Sequence, residues 1–436
     1  MDRMASTACD TGVGKSHTLS KIIQQLRPES FAVTASTGCA AAIIGACTLH
    51  STLGIGIGTR SVMSYVNCIR KQNPIVFNRI RSIRTLIIDE ISMLDGKLFE
   101  LAGHVFTQVR FNHTGDLMAN SAPSLAWDGV QLILCGDFMQ LPPVSVDAGG
   151  WVFASKVWAE LALKSHVLTM IHRQHADAPF SAVLARMRVG LSTQADLDYL
   201  TANSAAEEPD GALQLFAINA PANEVNLRHL KQLVNGGAKA FRFNSIDVGK
   251  SHLLEHSPAQ KTLWISVGCR IICLRNISAT IANGSLGTVT SIKPYYRAGD
   301  HGAHTPVVDG CRIHVLFDGV LGGEPTAHVF QTFHLDDPED HSMKFSVKEK
   351  DKEIAYRIQI PITLAWATSI HRSQGMSLDT VSIDLNRCFA PGQAYVALSR
   401  AKTLSTVFIK NLTLARMRNV SLKALDFYQS LASSHA

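Results

Sequence analysis

The segment GVGKSH (Gly12–His17) combines a flexible turn, a lysine and a hydroxyl at the mouth of a helix. Free amides and the dipole at a helix N-terminus attract phosphate. In such a loop Lys15 would reach the β- and γ-phosphates and Ser16 would ligate Mg2+, while Gly12, Val13, Gly14 and His17 would complete the cradle. The full pattern wants a glycine where this chain has Cys9. Two acids, Asp89 and Glu90, close the run TLIIDE. Asp89 would hold Mg2+ and Glu90 would orient and deprotonate an attacking water, although a merely polar strand end fits those two residues equally well. LILCGDFMQLPP places Gln140 three residues after Asp137. A glutamine there can touch a γ-phosphate and report its presence; taken alone, a satisfied loop amide is the simpler reading.

These residues need elements to position them. SFAVTAS, TLIIDE and VQLILCGD are near-continuous apolar runs ending in polar residues. Strands buried on both faces of a parallel α/β sheet have that composition, with loops at the C-terminal edge. Residues 1–172 alternate such strands with helices, and 173–250 turn helical around LQLFAIN. Between about 251 and 359, LWISVGCRIICL, GTVTSI and CRIHVLFDG alternate with period two between Gly- and Asn-rich turns. That pattern predicts a small antiparallel barrel inserted into a second α/β unit, which resumes at 360 and runs to the end. From Ser30 to Ile88 there is no acid, while Arg60, Arg70, Lys71, Arg79, Arg81 and Arg84 accumulate. A basic insertion over about 54–84 suits a polyanion, and a solvated basic face suits it as well. The nine cysteines are scattered, which favours reduced thiols in an intracellular protein over a disulfide framework or zinc. No run is long enough for a membrane span.

The order and wording of these segments resemble the Pif-one (petite integration frequency) family of DNA helicases, the RecD-like branch of superfamily 1B. The resemblance rests on VTASTGCAAAIIGACTLHSTLGIG, LIIDEISMLDGKLFELAGHVFTQVR, LCGDFMQLPPV, LTMIHRQ, LAWATSIHRSQGMSLD and GQAYVALSRA, in the family's order from Gly12 to Lys402. It implies two RecA-like P-loop domains with parallel sheets (1–172; 173–250 with 360–436) and an SH3-like β-barrel over 251–359. It makes Lys15, Glu90, Gln140, Arg173 and Arg400 the catalytic set, the two arginines reaching the γ-phosphate from the second domain. ATP and Mg2+ would rest on Gly12–His17, Asp89 and Gln374, with Ser16 and Asp89 on the metal. Ser36, Thr37, Gly38, His50, Ser51, His371 and Ser373 would face single-stranded DNA.

The resemblance further implies 5′-to-3′ translocation in genome maintenance, in the nucleus or mitochondrion. Expected partners are single-stranded and forked or structured DNA and ATP, with no membrane, on a chain monomeric when free. A DNA-binding pseudoenzyme or scaffold is the alternative. A P-loop kinase or GTPase explains neither the two arginines nor the DNA-facing segments. The chain departs from the family at Cys9, at Thr11 (usually alanine) and at Ile218 (usually threonine). It also lacks the upstream adenine-reading glutamine, as a fragment or shortened product would.

A Cβ at the first loop glycine burdens the turn, so Cys9→Gly is expected to tighten ATP binding or raise turnover by up to ~10-fold. Nucleotide titration and steady-state hydrolysis read it, and lower activity would mean that the loop has adapted to cysteine.

Overall fold

A computed structural model describes residues 4–7, 13–26, 30–37, 40–41, 44, 46–56, 58–111, 125–143, 150–168, 170–249, 254, 257, 259–275, 277–278, 281, 285–296, 308–318, 324–331, 344–349 and 352–433. Cys9, Thr11, Gly12 and Gly38 lie outside them, as does the side chain of Ser16. The chain gathers into two compact units, Met1–Ala217 with Ile370–Ala436, and Ile218–Ser369.

The first unit is α/β. Its main sheet runs in the order Cys47–Thr48, Phe31–Ala35, Thr85–Asp89, Gln131–Gly136, Met4–Thr7, Lys164–His166, and every pairing is parallel. Ala35 stands opposite Asp89 and Thr7 opposite Gly136. The strands therefore end together, and the chain leaves them at one edge, where parallel sheets place ligand sites. Thr85–Asp89 is buried at all five positions, which explains its unbroken apolar run. A second parallel set, Leu213–Phe216, Val381–Asp384 and Val407–Lys410, belongs to the same unit.

Contacts within the first unit cross the boundary expected at 172/173. Arg188 pairs with Asp137 at 2.9 Å, and Phe427 stacks on Phe153 at 4.5 Å. Phe138 meets Trp151, Phe153, Trp158 and Phe427 edge-on at 4.9–6.1 Å. Such ring pairs each add roughly 0.5–1.5 kcal/mol beyond simple burial, so the C-terminal helix Leu422–Ser433 is part of the first sheet's core.

The basic segment holds two helices, Val62–Gln72 and Pro74–Ser82. Asn73 caps the second through its side-chain oxygen, which accepts from the Val76 amide at 3.2 Å, and Pro74 opens it. Tyr65, Val66, Ile69, Val76 and Ile80 join the main core, while Lys71, Arg79, Arg81 and Arg84 are exposed. The outward face is therefore the basic one.

The second unit carries antiparallel strands in the region where period-two alternation predicts them. Five pair in the order Thr326–Gln331, Val308–Phe317, Leu286–Tyr296, Arg270–Cys273, Ile362–Leu364. Lys344–Glu349, Lys352–Ile358 and Ile246–Gly249 form a second sheet, and Phe241–Asn244 with Thr262–Ile265 a ribbon. The unit extends beyond 251–359 because the helix Asn219–Asn235 packs Leu230 and Leu233 into the same core as Leu263, Ile271 and Ile362. Buried Asn226 on that helix donates to the carbonyls of Leu364 at 3.2 Å and Ala367 at 2.9 Å, and accepts from the Ala367 amide at 2.9 Å. Truncating it leaves three backbone groups unpaired. Asn226→Ala is expected to destabilise the fold by about 2–4 kcal/mol, read by chemical denaturation. A loss under about 0.5 kcal/mol would mean that the strand end is held some other way.

Candidate nucleotide site

At the carboxyl edge of the main sheet, Gly14 turns the chain into the helix Lys15–Gln25 with φ of 84°. Only glycine adopts that conformation without strain, and Lys15 follows in the helix's first turn. Val13 is buried, Lys15 half-buried and His17 exposed. Thr85–Asp89 delivers Asp89 and Glu90 beside them, both buried. Burial, and then the Glu90 charge, push Asp89 above the usual carboxylate range, while the Lys15 charge pulls the other way. Asp89 accepts from the Glu90 amide at 2.9 Å, and Glu90 sits at φ 50°, a left-handed conformation rare outside glycine. Ser36 holds it there, since its hydroxyl donates to the Glu90 carbonyl at 2.6 Å and its amide to the Asp89 carbonyl at 3.1 Å.

Gln374 connects the predicted residues. Its amide nitrogen donates to Glu90 Oε2 at 3.1 Å and lies 3.4 Å from Gln140 Oε1. Its own Oε1 is buried and has no partner among the described residues. Gln140 is buried and donates to Asp137 at 3.3 Å. One side-chain network therefore joins the strand-end acid, the loop amide and the IHRSQG segment.

Two arginines stand close by. Arg173 donates to the Ser399 carbonyl at 2.9 Å. Arg400 is 1% exposed and donates to the Val396 carbonyl at 2.9 Å, the Ser399 hydroxyl at 3.1 Å and the Met376 carbonyl at 3.4 Å. Every one of these acceptors is neutral. Burial first, and then the Arg173 charge, hold the Arg400 pKa down to about 9, with Glu90 opposing from nearby.

The side chains predicted to face DNA divide. Ser36 and Ser373 are both buried, and each hydroxyl donates to a backbone carbonyl, that of Glu90 for Ser36 and that of Ile370, at 2.8 Å, for Ser373. They brace the site from within. Thr37 is half-buried, and its hydroxyl oxygen accepts from the Ala40 amide at 3.2 Å. His50 and Ser51 lie on the short helix Leu49–Leu53, half-buried and exposed respectively. His371 is half-buried, and burial lowers its pKa as it does that of His50. Neither histidine is biased toward the cation.

Sequence reasoning missed Asp137, Arg188 and Tyr428, which meet behind Gln140. The spacing of Asp137 and Gln140 was the available signal, because an acid three residues before a glutamine can take its amide. Among the described residues no group of three or more His, Cys, Asp or Glu could hold a metal, and no helix is long and apolar enough to cross a membrane.

A family model described as PIF1-like helicase matches residues 7–194. The chain is similar to the ATP-dependent DNA helicase PIF1 of Homo sapiens, 31% identical with 96% of this chain and 60% of that protein covered. It is 29% identical to the enzyme of the same name from Saccharomyces cerevisiae, with 98% and 59% covered. It thus spans about three fifths of the length of these curated relatives. Among solved structures, the Pif1 helicase of Candida albicans superposes with a TM-score of 0.82 at 30% identity, over 99% of this chain and 96% of that one. A structure described as two Pif1 helicases coordinating on forked double-stranded DNA gives 0.74 at 26% identity, over 99% and 94%. With these matches over nearly its whole length, the chain belongs to the PIF1-like helicase family.

Proposed function

We propose that the chain is an ATP-dependent DNA helicase that moves 5′ to 3′ along single-stranded DNA. The observation that carries this reading is Arg400, a buried guanidinium whose hydrogen-bond acceptors are all neutral, with the Glu90 charge near enough to act on it. A buried cation hydrogen-bonded only to neutral acceptors is costly, and a triphosphate bound at Gly14–Ser16 would supply negative charge to offset it.

In this reading Lys15 and the amides opening Lys15–Gln25 bind the β- and γ-phosphates. Glu90, aimed by its left-handed backbone, by Ser36 and by Gln374, orients the attacking water and takes its proton. Arg173 and Arg400 meet charge developing on the transferred phosphoryl group, where such an arginine is worth ~10³-fold or more. Gln140 contacts the γ-phosphate and passes its presence through Gln374 to His371.

The donors suit Mg2+: one buried carboxylate, Asp89, and the Ser16 hydroxyl supply hard oxygen, and the phosphates complete the shell, as is usual for this ion. When bound, the ion would neutralise the phosphates and anchor Asp89 as a carboxylate. Thr37, Gly38, His50, Ser51 and His371 remain for single-stranded DNA, and exposed Lys71, Arg79, Arg81 and Arg84 for forked or structured DNA. The same reading assigns the chain to genome maintenance in the nucleus or mitochondrion, as a monomer when free.

Glu90→Gln keeps the shape and the Gln374 contact but removes the base. It is expected to bind ATP–Mg2+ and single-stranded DNA like the parent while hydrolysing ATP ~10²-fold or more slowly. Phosphate release with and without single-stranded DNA measures this, beside a DNA-binding titration. Unchanged turnover would remove Glu90 from the mechanism, and a parent chain with no DNA-stimulated hydrolysis would favour a DNA-binding scaffold.

A further inference from the structure

Gln140 ends a four-residue turn, Asp137–Gln140, whose shape is set by side chains remote in sequence. Asp137 has no exposed surface. Its carboxylate accepts from Arg188 Nη2 at 2.9 Å and Nε at 3.4 Å, the Tyr428 hydroxyl at 3.2 Å, the Met139 amide at 3.1 Å and Gln140 Nε2 at 3.3 Å. The Tyr428 hydroxyl also accepts from the Phe138 amide at 3.2 Å, and the Arg188 guanidinium lies over the Tyr428 ring at 4.9 Å. Burial works against the Asp137 charge, but Arg188 and then Lys15 more than offset it, so the group is a carboxylate.

Arg188 ends the helix Ala178–Arg188 and Tyr428 lies on Leu422–Ser433. Neither belongs to the segments that supply the nucleotide-binding side chains. From another side the turn meets Gly392, at φ 74°, immediately before the helix Gln393–Leu398 that leads to Arg400. A Cβ on Gly392 would stand 2.6 Å from the Met139 carbonyl oxygen and 2.8 Å from that of Gln140. No side chain fits there, so the two backbones are in contact.

We infer that Arg188 and Tyr428 are positioning residues that act through Asp137 to hold the Gln140 amide in register with Gln374 and Glu90. This rests on the proposed role of Gln140 toward the γ-phosphate. The Gln140 side chain has one anchor on each side: its nitrogen donates to Asp137 and its oxygen faces the Gln374 amide. A turn of the Asp137 carboxylate therefore moves the amide that senses phosphate. Tyr428 fixes that carboxylate and the next backbone amide with a single hydroxyl. Three stretches of chain, around residues 137, 188 and 428, then control one side-chain orientation.

Tyr428→Phe deletes the hydroxyl and keeps the ring. In the full chain it is expected to lower DNA-stimulated kcat by roughly 3- to 10-fold, the worth of one or two hydrogen bonds. KM for ATP should change little, and the thermal midpoint should fall by only a few degrees as the Phe138 amide loses its acceptor. Combined with Gln140→Ala it should be no slower than Gln140→Ala alone, because both variants break one chain of contacts. Arg188→Lys keeps the charge, loses the fork and is expected to show the same dependence on Gln140, which preserves the test should Tyr428→Phe fold poorly. A parental kcat in Tyr428→Phe, or losses that multiply in the double variant, overturns the inference. A parental kcat in Gln140→Ala overturns the role of Gln140 itself, and the inference with it.

Discussion

A single amide nitrogen, that of Gln374, is the point on which the site depends. It donates to Glu90 and faces Gln140, and so joins two strand-end loops to a segment more than two hundred residues later in the chain. A hydrogen bond to one carboxylate oxygen fixes the orientation of the other. Glu90 receives that hold from Gln374 on its side chain and from Ser36 on its carbonyl. The left-handed backbone at Glu90 is strain of about 1–3 kcal/mol, offset by the buried hydrogen bonds that require it. The parallel sheet contributes register: Ala35 beside Asp89 brings Ser36 alongside Glu90.

The electrostatics follow from the same burial. Asp89 is raised toward its neutral form by desolvation and by its neighbour, and Arg400 is lowered by desolvation and by Arg173. Each group is poorly served by the protein alone, and each would be relieved by a ligand of the opposite sign, a cation at Asp89 and an anion at Arg400. The protein's own ion pairs are arranged differently. Asp137 and Arg188 pair within the core, and Tyr428, Met139 and Gln140 complete the hydrogen bonds of the carboxylate.

Much of this was legible in the sequence, for physical reasons. Lys15, Asp89, Glu90, Gln140, Gln374 and Arg400 lie in short segments, because a strand end or helix start needs only local sequence to present them. The period-two alternation of GTVTSI and CRIHVLFDG marked antiparallel pairing correctly, since half-buried strands must alternate. Burial was not legible. Ser36 and Ser373 carry hydroxyls suited to phosphate, but tertiary packing turns both onto carbonyls. The partners of Asp137 stand 51 and 291 residues away, and no local pattern announces a pairing across such separations. The unit boundaries were hidden likewise, because a helix such as Asn219–Asn235 reveals its allegiance only through what its apolar face meets.

We propose Arg400 as a buried charge kept for the γ-phosphate. Equilibrium titration of Arg400→Ala with ADP and with a non-hydrolysable ATP analogue, each with Mg2+, tests it most directly. Only the analogue carries the group that Arg400 would meet. The account predicts that the variant binds ADP like the parent and loses affinity for the analogue by ~10-fold or more, the worth of a charge-assisted hydrogen bond. Equal affinity changes for the two nucleotides, or none for either, would contradict it.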